Sequence, residues 1–146
     1  MTDKEKQDDA VAFLHSFIAV MHEWQKKCRE LLRDKVNAGE SSYAEGHKVL
    51  SADLRAIYDK FVRFKSFPGN FTYTYPPSYD PEGEKILEIT PKGKDGFLIT
   101  TDQSTKIPRT RVRYTVMRTN EGLKILDKRE RYDEFKNKYV AWDLLL

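Results

Sequence analysis

Three arginines, Arg109, Arg111 and Arg113, occupy every second position of RTRVRYTV (109–116), and Val112, Tyr114 and Val116 take alternate positions. On an extended strand, successive side chains point to opposite faces. The three guanidinium groups would therefore stand on one face, roughly 6 to 7 Å apart along the strand, with the apolar set on the other. A row of arginine forks suits bidentate recognition of carboxylates or phosphates. Met117 and Leu126 would add an apolar spot beside it, as contact surfaces often have. The chemistry expected of this face is docking of an acidic partner, with Arg109, Arg111, Arg113, Met117 and Leu126 as the partner-binding set. Two other readings stay open. The charges could simply form a solvated sheet face that discourages edge pairing. Nucleic acid is disfavoured, because Tyr114 points inward, acids interrupt the bases and no RNA- or DNA-binding motif is present.

The remaining reactive side chains give little chemistry. His15 and His22 lie seven residues apart, about 10 Å along a helix, too far to share a metal, and both read as surface residues. His47 falls near an apolar helical stripe with Tyr43, Leu50 and Leu54, where a hydrogen-bonded core histidine is the ordinary outcome. Cys28 sits among apolar neighbours and reads as an inert buried thiol. There is no G-x-S-x-G, phosphate loop or zinc-ligand spacing. The expectation is no catalytic residue, no metal and no cofactor.

These residues belong to a chain of 146 residues, 39% hydrophobic and 34% charged. That suffices for one domain, residues 1–146, with a sizeable core. No run approaches the ~18 apolar residues of a membrane span, and the charged start MTDKEKQDDA lacks the apolar stretch of a secretory signal. A lone cysteine forms no internal disulfide, so the cytoplasm is the expected compartment. The net charge is only +3, but bases dominate from Lys106 to Arg131, and a basic surface attracts acidic partners.

The elements that must carry these residues follow from periodicity. Residues 6–36 place Val11, Phe13, Leu14, Phe17, Ile18, Val20, Met21, Trp24, Cys28, Leu31 and Leu32 on one broad helical face, and Gly39 is a plausible C-terminal cap. A second helix should start at SSYAE, where Ser42 and Glu45 have capping-box spacing, and run to about Lys65. FTYTY (71–75) alternates as a strand does, and PPSYDPEG is a loop. EKILEIT and FLITT flank a turn at PKGKDG. RTRVRYTVMRT and LKILDKRERY form a hairpin around NEG. Phe135, Tyr139 and Trp142 are spaced like a short helix face, although this stretch could instead continue the strand. Helices at one end and strands at the other make an α+β domain: two N-terminal helices packed on a curved antiparallel sheet of about five strands.

Two registers are open for the last hairpin. Thr119 opposite Leu123 would set Arg113 beside Arg129, which is repulsive. Asn120 opposite Leu123 gathers Leu123 and Ile125 with Val112, Tyr114 and Val116 and sets Arg113 opposite Glu130. The second is preferred, with allowance for a bulge.

This arrangement, ending in RVRYTVMRTNEGLKILDK, resembles the NTF2-like (cystatin-like α+β) superfamily. Leu123 and Ile125 stand where that superfamily often has tryptophan and isoleucine. Size and the basic hairpin are most similar to NTF2-fold immunity proteins of bacterial toxin systems. The resemblance implies a non-enzymatic protein-binding domain, with a toxin domain as partner and occlusion by the sheet face as mechanism. It also implies two alternatives. One is a homodimer through the sheet. The other is a small-molecule-binding or ketosteroid-isomerase-like cone, which needs a carboxylate base and hydrogen-bond donors in an apolar pocket. For the cone, His47, Asp53, Tyr58, Tyr73 and Tyr114 are the candidate pocket residues.

Overall fold

The computed structural model of the chain describes residues 1–68, 71–74, 76–103 and 110–145, with the backbone alone at 34–38 and 40–42. Its elements are α1 (Asp3–Ala38), α2 (Glu40–Phe61), β1 (Val62–Arg63), β2 (Glu84–Lys92), β3 (Gly96–Gln103), β4 (Thr110–Thr119), β5 (Gly122–Leu126), β6 (Lys128–Asp133) and β7 (Lys138–Asp143). Both helices pack on one face of a curved seven-stranded sheet.

Thr2 starts α1: its hydroxyl accepts from the Glu5 amide at 3.1 Å, and Asp3 and Glu5 place acid in the first turn, where it favours the positive end of the helix dipole. The apolar stripe from Ala10 to Leu32 is buried along its length. Gly39, at φ 107°, lies between the helices and caps both. Accordingly α2 begins earlier than SSYAE predicts. The side chain of Ser42, and with it the expected capping box, lies outside the described residues. The helices are joined by a bond from Trp24 Nε1 to the Leu50 carbonyl (3.0 Å), by Phe13 against Phe61 (centroids 5.1 Å), and by Lys27 Nζ on Asp53 (2.6 Å).

The sheet runs β1-β5-β4-β3-β2, with β6 also on β4 and β7 on β6. All pairings are antiparallel except β1 with β5, so the sheet is mixed and wider than the five antiparallel strands expected. Gly96 closes the β2–β3 turn, where any Cβ would fall 2.6 Å from the Lys92 carbonyl oxygen.

Two expectations are corrected. FTYTY is not a strand: residues 71–74 have no ladder partner, and Phe71 instead lies edge-on to Trp24 (5.0 Å) and stacks on His47 (4.3 Å). The alternation there serves a loop crossing the helices. The terminal stretch is not a helix either. It pairs with β6 from Lys128↔Asp143 to Asp133↔Lys138, because a free sheet edge supplies hydrogen bonds along its whole length.

The β4–β5 register differs from both expectations near the turn, where Arg118 faces Leu123 and Thr119 faces Gly122. Gly122 adopts φ 99°, and the Thr119 hydroxyl bridges the turn by donating to the Gly122 carbonyl (2.8 Å) and accepting from the Glu121 amide (3.1 Å). Between β5 and β6 the chain bulges at Asp127. Beyond it, Arg113 faces Glu130, as the preferred register requires. Going from Val116↔Ile125 to Arg113↔Glu130 takes two more residues on the β5–β6 side than on β4. A shift of two preserves every facing, because the side-chain period is two.

Candidate partner-binding face and the buried interior

The sheet face turned away from the helices holds Arg111 and Arg113 of the expected arginine row. Arg111 is exposed and stands opposite Asp102. Arg113 is held more firmly: its Nη2 lies 3.0 Å from a Glu130 carboxylate oxygen, and its guanidinium carbon lies 3.6 Å from the centre of the Tyr139 ring. Arg109 lies outside the described residues. Met117 and Leu126 are on the same face, both half-buried. Arg63 of β1 stands beside Leu126 and donates to Met117 Sδ (3.6 Å). Lys124 reaches round to the last turn of α2, donating to the Asp59 (2.6 Å) and Lys60 (3.1 Å) carbonyls, which a helix end leaves without backbone partners. So the structure brings Arg111, Arg113, Met117 and Leu126 to one surface and gives Arg113 and Met117 intramolecular partners there.

The opposite face of the same strands lines the interior, and it holds the features that the basic run concealed. Arg129 of β6 is 1% exposed. Its Nη1 donates to the Tyr114 hydroxyl (2.9 Å), and that hydroxyl donates to Glu84 Oε2 (2.9 Å). Glu84, also buried, accepts further bonds from the Thr101 hydroxyl (2.5 Å) and Gln103 Nε2 (3.1 Å). The Arg129 guanidinium lies over the rings of Trp142 (3.9 Å) and Tyr79 (4.7 Å). Burial pulls the Arg129 pKa down, but Tyr79, Tyr114 and Glu84 outweigh it and raise it. For Tyr114, burial and then the Glu84 charge push the phenol pKa well up. The result is a relay of fixed polarity, with guanidinium, neutral phenol and carboxylate each satisfying the next.

The loop before β2 closes this interior. The Gln25 side chain accepts from the Tyr79 amide (3.0 Å) and donates to the Ser78 hydroxyl (2.7 Å). His22 donates through Nδ1 to the Tyr79 carbonyl (2.6 Å). His22 is therefore not the plain surface histidine expected, whereas His15 is exposed. The Tyr79 hydroxyl donates to the Leu144 carbonyl, so the apolar C-terminus covers the core.

The candidate pocket residues have separate surroundings. His47 stacks on Phe71, and Asp53 is engaged by Lys27. Tyr58 lies edge-on to Phe64 (5.4 Å) and Phe67 (5.5 Å), Tyr73 is half-buried against the core, and Tyr114 belongs to the relay. Cys28 is buried, and burial with the nearby Asp53 pushes its thiol up to about 12, which keeps it protonated and unreactive. No helix among the described residues is long and apolar enough to cross a membrane.

A curved sheet packed on a long first helix, with a buried interior and a charged outer face, has a counterpart among known families. Residues 9–143 match the model of the NTF2 fold immunity protein family. The chain belongs to that family. No curated protein and no solved structure matches it. The family is one of immunity proteins of toxin systems, and membership implies a protein partner such as a toxin. Glu84 and Arg129 escaped the sequence reading as interior residues. The signal that could have found Arg129 is parity, since in the preferred register it stands opposite Tyr114 on the core side.

Proposed function

We propose that this NTF2 fold immunity protein neutralises a bacterial toxin domain in the cytoplasm by occlusion, without chemistry of its own. Its outer sheet face, with Arg111, Arg113, Met117 and Leu126, covers a complementary acidic surface, and Arg109 belongs to the same partner-binding set by its spacing in the sequence. The observation that carries the reading is family membership over residues 9–143. The division of the sheet supports it. In the interior Arg129, Tyr114 and Glu84 are bonded to one another in a relay, while Arg111 faces solvent. Charges of this kind act mainly on the association rate and make it salt-sensitive.

The test is affinity purification from a lysate of the source organism at low and moderate salt, beside R109E/R111E/R113E. The captured protein is then expressed with and without the chain. One stoichiometric polypeptide is expected, one that arrests growth alone and does not when the chain is coexpressed. The triple variant should capture less of it. Unchanged affinity in the triple variant would reduce the arginine row to a solvated face. If no captured polypeptide is toxic, the immunity reading itself falls.

A further inference from the structure

Phe135 is 103% exposed at the tip of the β6–β7 hairpin, and the tip is built to keep it there. Asp133 Oδ1 accepts from the Phe135 amide (3.0 Å) and the Lys136 amide (3.2 Å). Asn137 takes the left-handed conformation at φ 53°, which asparagine tolerates better than most residues, and its side-chain oxygen accepts from the Tyr132 hydroxyl. Tyr132 lies edge-on to Tyr139 (5.3 Å). Tyr139 carries the Arg113 guanidinium, which Glu130 holds from the other side. Contacts thus run without a break from the centre of the sheet to the turn that displays the phenyl ring. Little backbone freedom of the turn is left to lose when that ring is covered.

Beside the tip is a cleft of about 550 Å³, lined by Leu87, Arg111, Arg131 and Phe135 among others. Leu87 is itself 49% exposed. The cations Arg111, Arg131, Lys136 and Lys138 surround the tip, all exposed, and none has an ion-pair partner among the described residues. Three acids also line the cleft: Asp102 is buried opposite Arg111, Asp133 is committed to the turn amides, and Glu134 is exposed. An exposed aromatic with exposed cations on either side of the sheet beside it, Arg111 on the outer side and Arg131 on the Trp142 side, fits one kind of partner surface: an apolar pocket with carboxylates at its rim.

We propose that Phe135 is the anchor of the toxin interface, entering such a pocket on the toxin domain while Arg111 and Arg131 meet the acidic rim. This rests on the immunity reading and names the contact through which it works. Buried aromatic anchors carry most of the affinity of an interface, and rim charges mostly set its rate of formation.

The probe is the toxic polypeptide captured by the wild-type chain, with neutralisation first shown by coexpression. Binding kinetics are compared for the wild type, Phe135→Ala and Arg111→Glu/Arg131→Glu, each checked for an unchanged melting temperature. Phe135→Ala is expected to weaken binding ~30-fold or more, chiefly through faster dissociation. The double arginine variant should slow association several-fold and flatten its salt dependence. If the wild type neutralises the toxin and Phe135→Ala binds within ~3-fold of it, the anchor is overturned and the immunity reading stands. If Phe135→Ala instead abolishes self-association in sedimentation and leaves toxin affinity intact, the patch joins two copies of this chain and the proposal is equally overturned. If the wild type neutralises nothing it captures, both readings fall together.

Discussion

Arg111 and Arg129 come from the same basic stretch of sequence and meet opposite fates. Arg111 stands on the outer sheet face in solvent. Arg129 is buried beneath Trp142 and Tyr79 and bonded through Tyr114 to Glu84. The comparison teaches that a run of bases in a hairpin is not one surface. Strand parity sends alternate residues to opposite faces, and the inward ones persist only where a buried acid and aromatic faces await them. Arg113 lies between these extremes, on the outer face but clamped by Glu130 and Tyr139.

The most severe way to break the comparison is Arg129→Met, which leaves Glu84 buried without its relay. About 3–5 kcal/mol of stability should be lost, measured by denaturant unfolding, while Arg111→Met leaves the midpoint unchanged. Adding Glu84→Met to Arg129→Met should recover much of the loss, since an apolar pair leaves no stranded charge. Additive losses would show that the two residues act independently.

A second contrast is alkaline. Burial raises the pKa of Tyr58, Tyr79 and Tyr114 and pushes Cys28 up to about 12. In the unfolded chain these groups ionise at their ordinary values, near 9 for the thiol and 10 for the phenols. Above pH 9 the unfolded state therefore binds fewer protons than the fold, and stability falls as pH rises. Their contribution is fully present below about pH 9. Thermal melts should drop steadily from pH 9 upward, with these phenols and the thiol becoming titratable and reactive only as the chain unfolds. Melting temperatures that stay level to pH 11.5 would contradict the burial of these groups.

The smallest expected effect sharpens the outer face. Arg113→Ala should cost about 1 kcal/mol or less, as a partly exposed ion pair with one aromatic contact does. Arg111→Ala should leave the melting temperature unchanged. Equal losses at both positions would make Arg111 a structural residue and remove it from the interface.

Much of this was legible from spacing alone. The long apolar stripe of α1, the α2 stripe and the alternation through β2, β3 and β4 all correspond to observed elements. The inward facing of Val112, Tyr114 and Val116 also holds, and it survived a two-residue error in register near the turn because the period is two. The failures share a cause. FTYTY has a strand's alternation but no strand beside it, and Phe71 found Trp24 and His47 instead. Phe135, Tyr139 and Trp142 have a helix's spacing, yet β6 offered a free edge, leaving the first at a turn and the other two on opposite faces. Phe135 carries no sequence signal of its own, since a phenylalanine is expected inside.

Local periodicity by itself determined the two helices, the strands β2 to β4 and which of their residues share a side, because backbone geometry imposes those periods on any chain. Only the tertiary structure decided what each side meets. Pairing partners and burial are set by segments distant in sequence: Glu84 lies 30 residues from the Tyr114 it bonds, and Tyr79 lies 54 from the Gln25 that pins it. That is why one arginine of the basic run ended beneath a tryptophan and another in solvent.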